Sequence, residues 1–368
     1  MEKVKIGVIG VKGIGRIHID SIVSSENAEL LAIADINEEA GKTVASSYKV
    51  EWYKNYEEML GLETLDAVTI CTPHFLHSQM ALKALAYNKH VLVEKPMAIS
   101  VSEADEMIQK SRKKGLKLGV VFQERTKPIN REIKRLIDSG EIGEIYRACI
   151  EACYFRTQAY YDRDAWRGKW ATEGGGVLIN QAIHDVDLLQ WLLGRPVRIQ
   201  GQISTVYHDV EVEDLASATI LFENRAQGIF QASTTDPIRT KRLEVCGDKG
   251  KIELDGGARQ AILKKTVREY IASGDVWDNK QKFQWFEIKP ETGIISGHRA
   301  VIEDFAQAIL SDREPSVNGE EGRIALEIIN AITLSSFEGK AVSLPIDRKA
   351  YVDLLERLKG KRNISPRT

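Results

Sequence analysis

A chain of 368 residues, 43% of them apolar and 28% charged, is long enough for two domains with separate cores. A formal net charge of −2 gives no electrostatic case for nucleic acid or an anionic membrane as a partner. No apolar run reaches the length of a membrane span, and the opening Met1-Glu-Lys-Val-Lys lacks a signal-peptide pattern, so a cytoplasmic protein is expected.

The first strand is expected at Val4 to Ile9, followed by Gly10-Val-Lys-Gly-Ile-Gly15 and a helix to about Ser25. A glycine-rich loop between a strand and a helix is the context of a dinucleotide fingerprint. Its glycines permit a tight turn and close approach of backbone to pyrophosphate at the helix N-terminus. Here Lys12 stands where the middle glycine is expected, and Gly13 and Ile14 follow it. The second strand, Glu29 to Asp35, ends in an acid twenty residues beyond Gly15, where a ribose-binding carboxylate belongs. Its charge favours NAD over NADP, a preference that the nearby cations Lys12 and Arg16 weaken.

Alternation continues through a helix from Asn37 to about Tyr48, a strand at Ala67 to Cys71, a helix from about His77 to Tyr87, a strand at Val91 to Val93, a helix at Val101 to Lys114 and a strand at Leu118 to Phe122. Such alternation means a parallel, doubly wound sheet. Thr72-Pro73 and Glu94-Lys95-Pro96 close two of these strands on the edge that carries Gly10. Three loops therefore converge on one crevice, where ligands of open α/β sheets bind.

After a helix at about Pro128 to Ser139 the grammar changes. Tyr146 to Tyr154, Val197 to Val206, Leu215 to Phe222, Ala226 to Ser233, Leu243 to Val245, Lys251 to Leu254, Ala261 to Lys265 and Phe283 to Ile288 read as strands of a largely antiparallel sheet. One long helix, about Gly176 to Leu193, interrupts them. Two amphipathic helices, about His298 to Leu310 and Glu320 to Phe337, close the domain, and Gly360 to Thr368 is expected to fray. Cys71, Cys149, Cys153 and Cys246 include no Cys-x-x-Cys pair and read as reduced core residues, with no metal site.

Within the long helix, Asn180, His184, Asp187 and Trp191 recur at helical steps and are expected on one face. The loop before it, from Trp166 and Arg167 to Gly176, combines aromatic, cationic and glycine residues suited to stacking on a polyol. Asp187 is expected to pair with a cation or a backbone amide, and His74 and His77 to be loop and helix-start residues.

With these motifs in this order the chain resembles the Gfo/Idh/MocA family, the glucose–fructose oxidoreductase and inositol dehydrogenase group. The resemblance rests on the Gly10–Gly15 loop with His18, Thr72-Pro73 with His77, Glu94-Lys95-Pro96, Gly174-Gly-Gly176 with Asn180, His184 and Asp187, Asp304-Phe305, and Glu320-Glu-Gly322-Arg323. It implies a Rossmann cofactor-binding domain over residues 1–123 and a substrate-binding and oligomerisation domain over 124–368, whose final helices return to the first. It also implies hydride transfer between a nicotinamide and a sugar, sugar derivative or inositol. Lys95 resembles the family's catalytic lysine, with a cis bond to Pro96, and His184 its acid/base histidine. Glu94, Thr72, Pro73, His77 and Gln123 would border the cofactor; Arg125, Trp166, Arg167, Asn180 and His184 would meet substrate. Dimers or tetramers through the second sheet are implied too. One departure stands out: many members carry aspartate where this chain has Asn180, and an amide cannot take a proton. Two alternatives remain open at this point, a redox-assisted glycoside hydrolase and a non-enzymatic dinucleotide or sugar sensor.

Overall fold

The computed structural model describes residues 3–273 and 283–361, so only the first two residues of the expected frayed end, Gly360 and Lys361, lie within it. Six strands form the first sheet: β1 (Val4–Ile9), β2 (Ala28–Ala34), β3 (Glu51–Tyr53), β4 (Ala67–Ile70), β5 (His90–Val93) and β6 (Leu118–Val120). They run parallel in the order β3-β2-β1-β4-β5-β6, a doubly wound topology whose switch point lies between β1 and β4. Between the strands run α1 (Ile14–Val23), α2 (Glu38–Tyr48), α3 (Tyr56–Leu60), α4 (His74–Ala86) and α5 (Val101–Lys114), with α6 (Pro128–Asp138) after β6. Asn37 caps α2, and Ser100 with Glu103 forms a capping box on α5, so both starts are fixed by local chemistry. Two expectations change here. A third strand and a short helix fill the interval between Asp35 and Ala67, and α4 begins at His74, three residues before the expected start.

The second sheet has nine strands: β7 (Ile145–Cys153), β8 (Pro196–Ser204), β9 (Leu215–Phe222), β10 (Gln227–Ser233), β11 (Lys241–Gly247), β12 (Gly250–Leu254), β13 (Ala258–Leu263), β14 (Phe283–Glu287) and β15 (Val342–Ser343). Their order is β14-β13-β12-β11-β7-β10-β9-β8-β15, antiparallel throughout except where β10 runs parallel to β7. In β9 burial alternates strictly, with Ala216, Ala218, Ile220 and Phe222 inward and Ser217, Thr219 and Leu221 outward, the pattern of a sheet covered on one face. The covering helices are α8 (Val177–Asn180), α9 (Ile183–Leu193) and α12 (Gly319–Glu338).

The single long helix expected from Gly176 to Leu193 is thus two helices. Ala182 N–H reaches back to the Val177 carbonyl, skipping the regular pattern, and the axis breaks at Gln181–Ala182. Short helices α7 (Gln158–Asp162) and α10 (Val267–Ile271) and a terminal helix α13 (Arg348–Leu358) also lie outside the expected set.

Late chain returns to the first sheet. Helix α11 (Gly297–Leu310) buries Phe305 against β5 and β6, so that a Cβ on Gly119 would sit 3.0 Å from Leu92 and 3.1 Å from the Phe305 ring. Val317 and Asn318 pair with the outer edge of β6, Val120 N–H reaching the Val317 carbonyl at 3.0 Å, which leaves no open strand edge there. Replacing this ring should be felt by the whole molecule: Phe305→Ala is expected to cost about 3–5 kcal/mol. Urea unfolding measures it, and a loss below about 1 kcal/mol would show that α11 is not part of the same cooperative unit.

Candidate active site at the carboxyl edge of the first sheet

A cleft of about 790 Å³ runs along the carboxyl ends of β1, β2, β4 and β5, lined from Asp35, Ile36 and Lys54 at one end to Lys95, Trp166, Arg167 and Asn180 at the other. Gly10, Lys12, Gly13, Ile14, Thr72, Pro73, His77, Glu94 and Gln123 line it between. Gly15 stands just behind, where any side chain would collide with backbone: its Cβ would lie 1.9 Å from the Gly10 carbonyl oxygen. Gly13 caps α1 without any side-chain hydrogen bond; Gly15 and Arg16 N–H turn back onto the Lys12 and Gly13 carbonyls at 3.0 and 3.2 Å, so of the loop amides those of Gly13 and Ile14 are the ones left for a ligand. Asp35 accepts Val11 N–H at 2.9 Å and Asn37 N–H at 2.8 Å, which fixes its carboxylate at the end of β2. Arg16 is drawn aside, over the Tyr48 ring and 3.9 Å from Asp20, while Lys12 is exposed. A pyrophosphate on the Gly13 and Ile14 amides with a ribose beside a carboxylate fits this geometry. Gly10, Gly13, Ile14 and Asp35 would hold the dinucleotide.

At the centre of the cleft Glu94 is buried between two histidines. His18 Nε2 lies 2.8 Å and His298 Nε2 3.5 Å from Glu94 Oε1. Burial alone would raise the Glu94 pKa, but the hydrogen bonds from the two imidazoles outweigh it and hold the carboxyl well below its ordinary value. Among the described residues this is the one cluster with metal-ligand spacing, its atoms within 4.8 Å of one another. Both nitrogens of His18 are already occupied, Nδ1 by Thr69 Oγ at 2.8 Å, so the hydrogen-bonded triad accounts for the arrangement without an ion. His77 ties two loops together, its ring nitrogens 2.7 Å from the Pro96 and Thr72 carbonyls, and burial lowers its pKa.

Lys95, joined to Pro96 by a cis peptide bond, points across the cleft. The break between α8 and α9 leaves the Asn180 carbonyl without a helical partner, and Lys95 Nζ donates to it at 2.6 Å. Burial lowers the Lys95 pKa, against the opposing pull of Glu94 and Glu173. His184 follows on α9; burial and then the charge of Lys95 push its pKa well below the usual value, which keeps the ring neutral near pH 7. His184 is not among the cleft-lining residues. Its Nε2 lies 3.4 Å from the Gln123 amide nitrogen, and its buried Nδ1 takes no hydrogen bond from any described residue.

The Trp166–Gly176 loop closes the far end. Trp166 packs on His74 with ring centroids 4.8 Å apart, and the Arg167 guanidinium lies 4.4 Å above both the Trp166 and the Tyr160 rings. Arg167 also donates to the Tyr160 hydroxyl at 2.6 Å.

Arg125 departs from expectation. It does not reach the cleft. Its guanidinium forks onto Asp187 at 2.6 and 2.8 Å and onto Glu321 at 2.9 Å, with only 7% of its side chain exposed. Asp187 thereby has the cation expected for it. The shared-face expectation is corrected as well: Asp187 and Trp191 both meet Arg125 on α9, whereas Asn180 belongs to α8 on the other side of the break. His74 opens α4 and is no loop residue, its Nδ1 2.9 Å from the Glu173 carbonyl. Glu173 itself, a fully buried member of this loop, escaped sequence reasoning, as did Lys54 and His298. An acid directly before three glycines was the available signal for Glu173. Nothing local marked the other two.

Comparison with known proteins bears on this site. Residues 4–122 match a family described as an oxidoreductase family with an NAD-binding Rossmann fold, and residues 130–253 match the GFO/IDH/MocA C-terminal domain. The scyllo-inositol 2-dehydrogenase (NAD(+)) of Bacillus subtilis is 28% identical over 364 residues, 96% of this chain and 99% of that protein. Myo-inositol 2-dehydrogenase of Thermotoga maritima is 26% identical over 92% of this chain and 98% of its own. Among solved structures, the WlbA dehydrogenase of Bordetella pertussis, in complex with NADH and UDP-GlcNAcA, superposes with a TM-score of 0.81 at 28% identity, covering 94% of this chain and 100% of that one.

Two substitutions test the assignments above. Asp35→Ala should erode discrimination against NADP, read as the ratio of Kd values for the two reduced cofactors; an unchanged ratio would place cofactor choice elsewhere. Arg125→Leu should cost about 3–5 kcal/mol in urea unfolding, because it strands the Asp187 carboxylate. A variant that unfolds like the wild type but has a raised substrate KM would return Arg125 to the substrate pocket.

Proposed function

The chain is an NAD-binding oxidoreductase of the GFO/IDH/MocA family, and from that membership we propose that it transfers hydride between the cofactor and a hydroxyl-bearing carbon of a sugar, sugar derivative or inositol. The observation that carries this reading is Lys95, a half-buried lysine of lowered pKa that follows Glu94 in the cleft and reaches across to Asn180. Bound nicotinamide supplies the two-electron acceptor. Lys95 in its neutral form takes the hydroxyl proton during oxidation, and in its charged form polarises the carbonyl during reduction. Its bond to the Asn180 carbonyl uses one N–H and aims the remaining positions at the substrate. His184, kept neutral, orients Gln123 from behind. Trp166, Arg167 and Tyr160 offer stacking and hydrogen-bonding surfaces suited to a polyol.

The remaining features extend the proposal. The open face of the second sheet, where Ile229 is 50% and Leu221 36% exposed, joins copies of the chain into a dimer or tetramer. Four cysteines without disulfide partners suit a reducing cytoplasm, and no helix among the described residues is long and apolar enough to cross a membrane.

The direct test is NADH absorbance with NAD or NADP and a panel of inositols, aldoses and ketoses, run beside an assay for release from aryl glycosides. A substrate-dependent rise in NADH supports the proposal, and glycoside release without net NADH overturns it in favour of a redox-assisted hydrolase. On any substrate found, Lys95→Ala should lower turnover by about 10²–10⁴-fold with NADH affinity nearly intact. Unchanged turnover would remove Lys95 from the chemistry.

A further inference from the structure

The departure at Asn180 leaves the site one carboxylate short of the arrangement common in the family, yet a carboxylate lies directly behind the amide. Glu173 has no exposed surface. Its Oε2 accepts Gly168 N–H at 2.5 Å, its Oε1 receives Asn180 Nδ2, and Arg167 Nη1 stands 3.8 Å from the same oxygen. Asn180 is in turn the residue whose backbone carbonyl receives Lys95. An ionised carboxylate only accepts hydrogen bonds, so it dictates which end of the amide it meets. Nδ2 faces Glu173 and the Tyr160 hydroxyl, and Oδ1 receives no hydrogen bond from any described residue, which leaves it to the cleft that Asn180 lines.

We propose that Glu173 is a positioning residue that acts through Asn180: its ionised form turns the amide so that Oδ1 accepts from a substrate hydroxyl next to the one whose proton passes to Lys95, and its protonated form donates to Oδ1 and turns the amide over. The Glu173–Asn180 pair thereby does the orienting work of the missing aspartate while the proton itself passes to Lys95. This rests on the hydride-transfer reading above.

The surroundings make Glu173 a group that changes state in the working range. Arg167 and Tyr161 face it from the segment around α7, Lys95 from the end of β5, His74 from the start of α4, and Glu213 from the turn before β9. Burial raises its pKa to about 7, against the lowering effects of the Gly168 and Asn180 hydrogen bonds and the charges of Arg167 and Lys95. Below that pH the carboxyl holds its proton and the amide presents a donor to the cleft; above it the acceptor face returns. Oxidation of an alcohol is therefore expected to weaken as the pH falls through 7.

Two readouts decide the matter. With asparagine selectively labelled with ¹⁵N, the Asn180 side-chain amide, assigned by its absence in Asn180→Asp, should shift with a midpoint near pH 7 in the wild type and stop titrating in Glu173→Gln. A pH-independent amide in the wild type, or the same titration in the variant, overturns the proposal, and this holds even if no substrate is turned over, an outcome that would count against the function and not against Glu173. In the kinetic arm, Glu173→Gln should lower the high-pH plateau of kcat/KM by about 10–100-fold, as expected for losing a charged hydrogen bond, with NADH affinity unchanged. Glu173→Gln/Asn180→Asp, which exchanges amide and carboxylate across the same hydrogen bond, should recover most of that loss. A plateau within twofold of wild type in the single variant, or its acid limb merely moved to lower pH, would make Glu173 a charged neighbour of Lys95 and nothing more.

Discussion

The contact on which the site depends is one hydrogen bond between a lysine and a carbonyl that a helix gave up. Lys95 belongs to the end of a parallel strand, and Asn180 to the helices that cover the second sheet; the 2.6 Å bond between them ties the edge of the first sheet to the helices of the second. It exists because the chain does not continue as a single helix through Gln181–Ala182. A regular helix would have consumed the Asn180 carbonyl internally. The start of α8 in turn is held from outside. Glu213 Oε1 takes Gly176 and Leu178 N–H at 2.9 and 3.0 Å, and a Cβ on Gly176 would lie 1.8 Å from the Glu213 carbonyl oxygen, so the start of α8 is pressed against the turn before β9.

Electrostatics divides the cleft into two chemically distinct parts. Around Glu94 two imidazoles stabilise a negative charge in a buried place, and the carboxyl stays ionised. Around Glu173 and Lys95 burial acts on an acid and a base together, raising one pKa and lowering the other toward neutrality. His184 and His74, both shifted far downward by burial, contribute neutral rings and so add no further positive charge to a site that already holds Lys95 and Arg167.

What the sequence made legible was local. The β1–glycine loop–α1 unit, the acid at the end of β2, and the strand ending in Glu94-Lys95-Pro96 each depend on neighbours within one supersecondary unit. Strand β3 was not legible because three residues carry too little periodicity and its pairing partner β2 lies earlier in the chain. The helix break was hidden because Gln181 and Ala182 are ordinary helix formers, and the contacts that fix the start of α8 come from Glu213, far along the chain. Arg125 read as a site residue from its position after β6, whereas its direction is set by Asp187 and Glu321, 62 and 196 residues away in sequence. His298 reached the cleft for the same reason, by the return of α11.

That return has a consequence for synthesis. The first sheet is complete in sequence by Val120, yet the ring that covers Leu92 and Gly119 comes from Phe305, and the strand edge of β6 waits for Val317 and Asn318. A ribosome adding residues at about 5–20 per second leaves that apolar surface and open edge uncovered for some ten seconds or more. During that interval the nascent cofactor domain is a template for pairing with other chains. The protein therefore asks more of the cell's holding chaperones than its finished, closed surface would suggest.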